Sequence, residues 1–376
     1  MALGWSGSNG GVGTNSIKID NTNDKIDLKK QVNFNDWFKE IQNNQNITEI
    51  SFFINAKCNL KCPACYAKNI KDNKVISIDY WKKFLSEAIK TDNIKLVSIA
   101  GKEPLLSATE TTELLQWLEE KFPMIRKGVV SNLHLITPKT AQALSGLKNF
   151  YLDVSFDGTP KIHNQLRGDD AWQKAITGVK ILQNAGVNNI FVSHMLLEQN
   201  LPHFSEMVSL CAENALKKFS VFPYCSLDEK DPLLIQPSDY CQFIEKIMTP
   251  GYLKVDGAKI IVKNDYLNPE ILFAAIKRFI KIDELQEDEN GVLYNLYELN
   301  NNKFYFNFMP FPVDFANAVR VNYDGNVVIC RDMTRPNLSD FVIGHINEGY
   351  TTIKNKLFTS EKIREFYKNY FDKINI

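Results

Sequence analysis

Three cysteines lie within eight residues of this 376-residue chain, at Cys58, Cys62 and Cys65. Their CxxxCxxC spacing places three thiols on one short loop, directly after a predicted strand at residues 50–55. Three thiolates can bind three corners of a cubane iron–sulfur cluster, because soft sulfur ligands suit iron and each iron takes tetrahedral coordination. The fourth iron then has no protein ligand, and an open coordination position is typical of a catalytic metal centre.

Two kinds of non-catalytic metal site, a zinc site and an electron-transfer cluster, would also fit these cysteines. Zinc would need the three thiolates and a remote histidine or fourth thiolate, and an electron-transfer cluster would use four nearby ligands. No histidine lies within the loop, and the nearest in sequence is His134. The spacing alone therefore leaves these alternatives open. Three of the remaining cysteines, Cys211, Cys225 and Cys241, lack metal-ligand spacing, and burial as small apolar side chains is the simplest interpretation for at least two of them.

Composition narrows the classes of function. The chain has 44 Lys and Arg against 44 Asp and Glu, and this zero net charge disfavours nucleic acid as a partner. No apolar run reaches the roughly 18 residues of a membrane span, and the first residues lack the pattern of an export signal. Seven cysteines, an odd number, argue against a disulfide framework. We therefore expect a cytoplasmic protein with no membrane partner.

The loop must be positioned by the elements around it, and from residue 49 strand-like and helix-like segments alternate. Six strands separated by helices of 8 to 16 residues predict right-handed βαβ units and a parallel sheet. The fold class is therefore α/β, a partial (β/α)6 barrel. The strands are expected at residues 50–55, 95–100, 127–131, 150–156, 189–195 and 217–223, and the helices at 79–90, 109–121, 138–145, 170–185 and 204–214.

The alternation fades after about residue 225. Helices are expected at residues 238–248 and 269–280, and a hairpin at residues 319–330 turns at Asp324-Gly325. The predicted organisation is a flexible tail with a short helix (residues 1–45), the partial barrel (46–235) and a smaller α+β extension (236–376).

A second motif follows the second predicted strand, and here the sequence resembles the radical S-adenosylmethionine (radical SAM) superfamily. The residues Gly101-Lys102-Glu103-Pro104 resemble the family's GGEP turn, with lysine at the second position. The resemblance implies that this turn contacts the amino group of the methionine moiety of SAM. Because a lysine would repel that ammonium group, Lys102 is expected to point away.

A third stretch follows the fourth strand. Ser155-Phe156-Asp157-Gly158, His163 and Leu166-Arg167-Gly168 resemble the SxDG…H…RG stretch of the superfamily branch with a SPASM or twitch extension. The resemblance implies that Ser155 and Arg167 hold the cofactor carboxylate, for which a guanidinium fork is well matched. It also assigns the adjacent Asp157 to the cofactor site.

Two further cofactor contacts are implied by the resemblance. Asn132, at the end of the third strand, matches a family position with substrate or ribose contacts. The family usually has an aromatic residue immediately before the third cysteine, where this chain has Ala64. Tyr66 follows that cysteine instead and is the candidate for stacking on the adenine.

The hairpin at residues 319–330 and Ile343-Gly344-His345-Ile346 resemble the start of a SPASM extension. A full extension has about seven cysteines for two auxiliary clusters, whereas this chain has only Cys330 there, so we expect no auxiliary cluster. A solitary thiol can donate hydrogen to a substrate radical during epimerisation, because its S–H bond is weak. Cys330 is therefore a candidate catalytic residue, and burial at the hairpin end is the alternative.

Together these resemblances predict an enzyme with one [4Fe–4S] cluster and SAM, which it cleaves reductively to a 5′-deoxyadenosyl radical that takes hydrogen from a substrate. A flavodoxin or ferredoxin reductant is implied. The extension favours a peptide substrate and an outcome such as epimerisation or cross-linking. The alternatives are a small sugar or amino-acid substrate, a nucleic-acid-modifying enzyme of the same superfamily, or a non-catalytic protein that binds zinc or an iron–sulfur cluster.

Overall fold

The computed structural model describes residues 34–65, 67–68, 70, 75–224, 230–263, 281, 284–287, 293–308, 318–329 and 342–373. Thirteen strands of these residues form one sheet. They are β1 (Glu49–Phe53), β2 (Leu96–Ala100), β3 (Arg126–Ser131), β4 (Phe150–Ser155), β5 (Ile190–Leu196), β6 (Lys218–Pro223), β7 (Lys259–Val262), β8 (Gln286–Glu287), β9 (Leu293–Leu299), β10 (Asn302–Phe308), β11 (Ala318–Val321), β12 (Asn326–Val328) and β13 (Val342–His345).

One helix precedes the first strand, and the others connect the strands or follow the last of them. They are α1 (Phe34–Asn44), α2 (Ile78–Thr91), α3 (Ala108–Lys121), α4 (Pro138–Ser145), α5 (Pro160–Arg167), α6 (Ala171–Asn184), α7 (Phe204–Glu213), α8 (Pro237–Ile247), α9 (Tyr350–Thr359) and α10 (Glu361–Lys373). Within the described residues, no helix is long and apolar enough to cross a membrane.

The first six strands are parallel neighbours in chain order, and each is followed by at least one helix. The sheet order is β13-β12-β11-β1-β2-β3-β4-β5-β6-β7-β10-β9-β8, so β13 and β8 are its edges and the barrel is open. The predicted partial barrel of parallel strands is thus confirmed.

The helices bury apolar faces against the sheet, as their sequence period requires. In α2 the buried side chains Trp81, Phe84, Leu85 and Ala88 recur every three or four residues. The Trp81 ring stacks on Phe52 of β1 with 4.1 Å between ring centroids. This packing fixes the position of β1, and therefore of the cysteine loop that follows it.

The C-terminal extension contains strands and helices, as expected, and its strands belong to the same sheet. Strands β7 and β10 extend the parallel sheet beyond β6, and β11 pairs in parallel with β1 on the opposite side. The hairpin of β11 and β12 turns at Asp324-Gly325, as predicted. A buried ion pair joins β11 to β1, with Arg320 Nη1 3.1 Å from Glu49 Oε1.

The remaining comparison with the sequence predictions concerns one helix, the isolated cysteines and a segment outside the described residues. Helix α5 was not predicted, although it carries His163 and Arg167. Cys211 is buried and Cys241 is half-buried. The predicted helix at residues 269–280 and Cys225 lie outside the described residues.

Candidate active site

A cleft of about 880 Å³, including its open mouth, lies at the carboxyl ends of strands β1 to β6. The loops after parallel strands meet at this edge of the sheet, which is where α/β enzymes place their sites. The cleft brings together residues from all three sequence motifs. The predicted site residues that line it are Cys58, Cys62, Cys65, Gly101, Lys102, Glu103, Asn132, Ser155, Asp157 and Arg167.

Three predicted site residues do not join this set. Pro104 is buried at the start of a short 3₁₀ turn, Pro104–Ser107, and is not among the residues that line the cleft. Tyr66 and Cys330 lie outside the described residues.

The three thiols of the cysteine loop are half-buried and free of disulfides. The backbone N–H of Cys65 donates to the Cys62 carbonyl at 3.2 Å, and Cys58 Sγ accepts from the Leu60 N–H at 3.3 Å. Burial raises the pKa of the Cys58 thiol to about 11 and also raises the pKa of Cys62, which the positive charge of Arg167 partly opposes.

Among the described residues, no three His, Cys, Asp or Glu side chains are gathered closely enough to hold a metal ion. The donor set nevertheless fits an iron–sulfur cluster, because three soft sulfur ligands line one cleft beside a cation that can offset thiolate charge. Metal binding and thiol deprotonation are coupled, so closure of the loop on a cluster would also favour the thiolates.

Glu103 ties the turn after β2 to the end of β3. Its buried carboxylate accepts hydrogen bonds from the Leu105 N–H (3.0 Å), the Ser131 hydroxyl (2.7 Å) and the Asn132 N–H (2.9 Å). Burial raises the pKa of Glu103, although these three donors oppose the rise. Since protein donors already occupy the carboxylate, an ammonium group in the cleft would find its acceptors among other oxygens of the turn.

Lys102 and Gly101, which precede Glu103 in the turn, also contact neighbouring loops. The Lys102 ammonium donates to the Ile70 carbonyl at 3.2 Å, which ties the turn to the segment after the cysteines. A Cβ atom on Gly101 would lie 3.2 Å from the Asn55 carbonyl oxygen, so the close approach of the two loops favours glycine there.

Asp157 and Arg167 form a buried ion pair between the end of β4 and the end of α5. Arg167 Nε and Nη2 both lie 2.6 Å from Asp157 Oδ2, while Asp157 Oδ1 accepts from the Met195 N–H at 3.1 Å. Although burial opposes ionisation, the Arg167 guanidinium holds the pKa of Asp157 below its usual value. Both oxygens of Asp157 therefore have protein donors, and the carboxylate orients the guanidinium.

A sharp turn makes this pairing possible. Gly158 has φ of +117°, in the left-handed region that favours glycine, and it reverses the chain from β4 into α5. The Asp157 N–H donates to His163 Nδ1 at 3.0 Å, so the first turn of the helix is bound to the end of the strand. Burial lowers the pKa of His163 to about 3, and its ring is neutral at pH 7.

Asn132 connects the end of β3 to the cysteine loop. Its amide nitrogen donates to Asn59 Oδ1 at 3.0 Å and lies 3.9 Å from Cys58 Sγ. Its amide oxygen accepts from the His134 N–H at 3.0 Å. The side chain thus holds the loop against the barrel.

Sequence reasoning missed several residues that line the cleft from later strands, above all Ser193 and Met195 of β5 and Phe222 of β6. The register of the parallel strands was the signal that could have identified these residues. Ser155 pairs with Ser193, and Met195 with Phe222, so these residues share the face of the sheet that Ser155 presents to the cleft.

Comparison with known proteins agrees with this geometry. Residues 53–211 match the family model of the Radical SAM superfamily. Together with the motif residues that meet in the cleft, this match shows that the chain contains a radical SAM domain. A [4Fe–4S] cluster and SAM are the cofactors of that superfamily.

Individual relatives are distant. The chain is 25% identical over 227 residues to the uncharacterised protein MJ0907 of Methanocaldococcus jannaschii, covering 58% of this chain and 78% of that protein. It is 25% identical over 193 residues to the radical SAM cyclopropyl synthase TigE of Paramaledivibacter caminithermalis, covering 46% of this chain but only 40% of TigE. Streptococcus suis SuiB bound to its precursor peptide SuiA has the same fold, with a TM-score of 0.65, 16% identity, and coverage of 90% of this chain and 71% of SuiB.

Proposed function

We propose that this radical SAM enzyme modifies a peptide, by a reaction such as epimerisation or cross-linking. The observation that carries the proposal is the cleft lined by the three cysteines, residues 101–103 of the GKEP turn and Arg167. When bound, the cluster and SAM supply a 5′-deoxyadenosyl radical that can remove hydrogen from an unactivated carbon.

The residues of the cleft would divide the work as follows. Cys58, Cys62 and Cys65 would hold the cluster. Arg167, oriented by Asp157, would bind the carboxylate of SAM together with Ser155. The oxygens of the turn at residues 101–103 would receive its ammonium group. The interlocked loops would also limit the access of water to the reacting carbon.

Three observations support a peptide as the substrate. The solved structure of SuiB, which shares this fold, holds a precursor peptide. The hairpin of β11 and β12 resembles the start of a SPASM extension, which often accompanies peptide substrates in this superfamily. The cleft also lies at the carboxyl ends of the strands of an open barrel, where an extended chain can enter. We assign residues 46–235 to the catalytic barrel and residues 236–376 to an extension that contributes to substrate binding.

A one-electron donor is required, and we propose a flavodoxin or ferredoxin for this role. The exposed side of the cysteine loop is its natural approach, because Asn59 and Lys61 are exposed there while the thiols are half-buried. The alternative substrate class is a small sugar or amino acid.

The test is to incubate the anaerobically reconstituted protein with SAM, dithionite and the short peptides encoded next to its gene, in heavy water. Mass spectrometry should show a peptide that has gained one deuterium, as expected for epimerisation, or lost two hydrogens, as expected for cross-linking. Unmodified peptides, combined with SAM-dependent change of a sugar or a free amino acid, would contradict the peptide proposal.

A further inference from the structure

The interior of the barrel beneath the cleft is unusually polar. Interiors of parallel barrels are normally filled by bulky branched side chains. Here several neighbouring strands direct small polar side chains inward, all at most 2% exposed. These side chains are Ser51, Ser98, Asp153, Ser193 and Ser220.

None of these five side chains has a hydrogen-bond partner among the described residues, and two of them, Asp153 and Ser193, lie next to or at the cleft. Both carboxylate oxygens of Asp153 and the hydroxyl of Ser193 are buried without a partner. Ser193 itself lines the cleft. Asp153 pairs with Val130 across the sheet and precedes Ser155 by two residues on the same face, and both of these neighbours line the cleft.

The opposite end of the barrel is closed. Tyr151, Phe191 and Tyr305 pack there with Leu96 and Ile261. Three cations cover these rings: Arg126 lies 4.5 Å from the centroid of Tyr151, Lys218 lies 5.3 Å from Phe191, and Lys259 lies 4.4 Å from Tyr305. A ligand would therefore reach Asp153 from the cleft.

An unpartnered buried carboxylate destabilises a fold, so its presence needs a physical explanation, and a ligand that supplies the missing hydrogen bond is one. Burial raises the pKa of Asp153 to about 6, and the positive charges of Lys263 and Arg126 oppose this rise. These two cations supply opposite charge but no hydrogen bond to the carboxylate. The missing partner is thus a hydrogen-bond donor rather than a third cation.

We propose that Asp153 and Ser193 form a specificity subsite that binds an uncharged hydrogen-bond donor of the substrate, a side-chain carboxamide or hydroxyl. A carboxamide is complementary to both residues, since its N–H groups can donate to Asp153 while its oxygen accepts from the Ser193 hydroxyl. This inference rests on the proposed peptide substrate, and it assigns an Asn, Gln, Ser or Thr side chain to the position beneath the reacting carbon.

The first test measures the stability of the reconstituted protein. Asp153→Asn removes a buried charge and Ser193→Ala removes a buried hydroxyl, and neither group has a hydrogen-bond partner in the absence of substrate. We expect Asp153→Asn to raise the midpoint of thermal unfolding by about 2 to 4 °C, and Ser193→Ala to leave it unchanged or slightly raised. The matched controls Asp157→Asn and Ser131→Ala remove groups that have protein partners, and both should lower the midpoint. If Asp153→Asn lowers it as Asp157→Asn does, Asp153 is a structural residue and the proposal is wrong.

The second test uses capped tripeptides, acetyl-Ala-Xaa-Ala-amide, as probes in the presence of SAM and dithionite. We expect Xaa of Asn, Gln, Ser or Thr to raise the rate of 5′-deoxyadenosine release at least fivefold over Leu or Lys, and Asp153→Leu to abolish the difference. The relative responses to Asn or Gln and to Ser or Thr separate the carboxamide from the hydroxyl.

The other outcomes are equally decisive. An equal response to Leu or Lys would overturn the subsite. Stimulation by free asparagine or threonine but by no tripeptide would retain the subsite and contradict the peptide substrate. A response to neither set of probes would overturn the subsite whatever the stabilities.

Discussion

The Asp157–Arg167 pair offers the sharpest perturbation of the cleft. Asp157→Asn keeps the size of the side chain but removes its charge, and it replaces one acceptor oxygen by an amide nitrogen. Either the Arg167 contacts at 2.6 Å or the Met195 N–H contact must then be lost. The side chains are 3% and 15% exposed, so little water is available to compensate.

The magnitude follows from this burial. Breaking a buried ion pair by removing one partner costs about 3–5 kcal/mol, and because asparagine retains one acceptor oxygen we expect a loss of about 3 kcal/mol for this variant. Once its guanidinium is no longer oriented, Arg167 should bind the SAM carboxylate less well. We expect the Kd for SAM to rise roughly tenfold, which corresponds to about 1.4 kcal/mol.

Two assays check these numbers: urea unfolding for stability, and isothermal titration with SAM for affinity. The pKa of Asp157 is lowered in the folded state, so its contribution to stability is complete above the ordinary carboxylate pKa and is lost only as the pH falls below that value. The loss of unfolding free energy and the rise in the Kd for SAM, each relative to the wild type, should therefore be constant between pH 6 and pH 8. Asp169→Asn, at an exposed carboxylate on the following loop, is the matched control. A Kd for SAM within twofold of the wild type in Asp157→Asn would refute the orienting role.

Three further variants test other parts of the account. Glu103→Gln should destabilise the protein by about 1–3 kcal/mol in urea unfolding, because its amide nitrogen must face one of three buried donors; an unchanged midpoint would contradict the network. Arg320→Met should cost about 3–5 kcal/mol by leaving Glu49 buried without its ion-pair partner, and Glu49→Leu in addition should recover most of the loss; equal instability of the single and double variants would show that the ion pair is not the cause. Cys330→Ala should still cleave SAM but yield no epimerised product, as measured by chiral amino-acid analysis; full epimerisation would exclude this thiol as the hydrogen donor.

Much of the barrel was predictable from the sequence, because each parallel strand is buried on both faces and each helix has a clear apolar stripe. The predicted boundaries of β1 to β6 agree with the structure within one or two residues. Helix α5 has only eight residues and a mostly polar sequence, so its periodicity gave too weak a signal. The addition of β7, β10 and β11 to the two sides of the sheet depends on contacts between distant segments, which local patterns do not encode.

In the candidate site, too, local motifs predicted some features while others depend on the three-dimensional structure. Motifs at the ends of successive strands predicted which loops meet, and ten of the predicted residues do line the cleft. What Glu103 and Asp157 contact depends on side-chain orientation, and only the structure shows that both carboxylates are occupied by protein donors. Ser193 carries no motif, and its position follows only from the register of β5 against β4.

The central claim is that Cys58, Cys62 and Cys65 hold a cluster that allows SAM to be cleaved. Its most direct measurement is iron, acid-labile sulfide and 5′-deoxyadenosine in the anaerobically reconstituted protein, beside the Ala variants of the three cysteines and Cys241→Ala as a control outside the cleft. The account predicts about four irons and four sulfides per chain and reductive cleavage of SAM. All three properties should survive in Cys241→Ala and be lost in each of the other variants. About one zinc without sulfide, or a wild-type cluster that never yields 5′-deoxyadenosine, would contradict it.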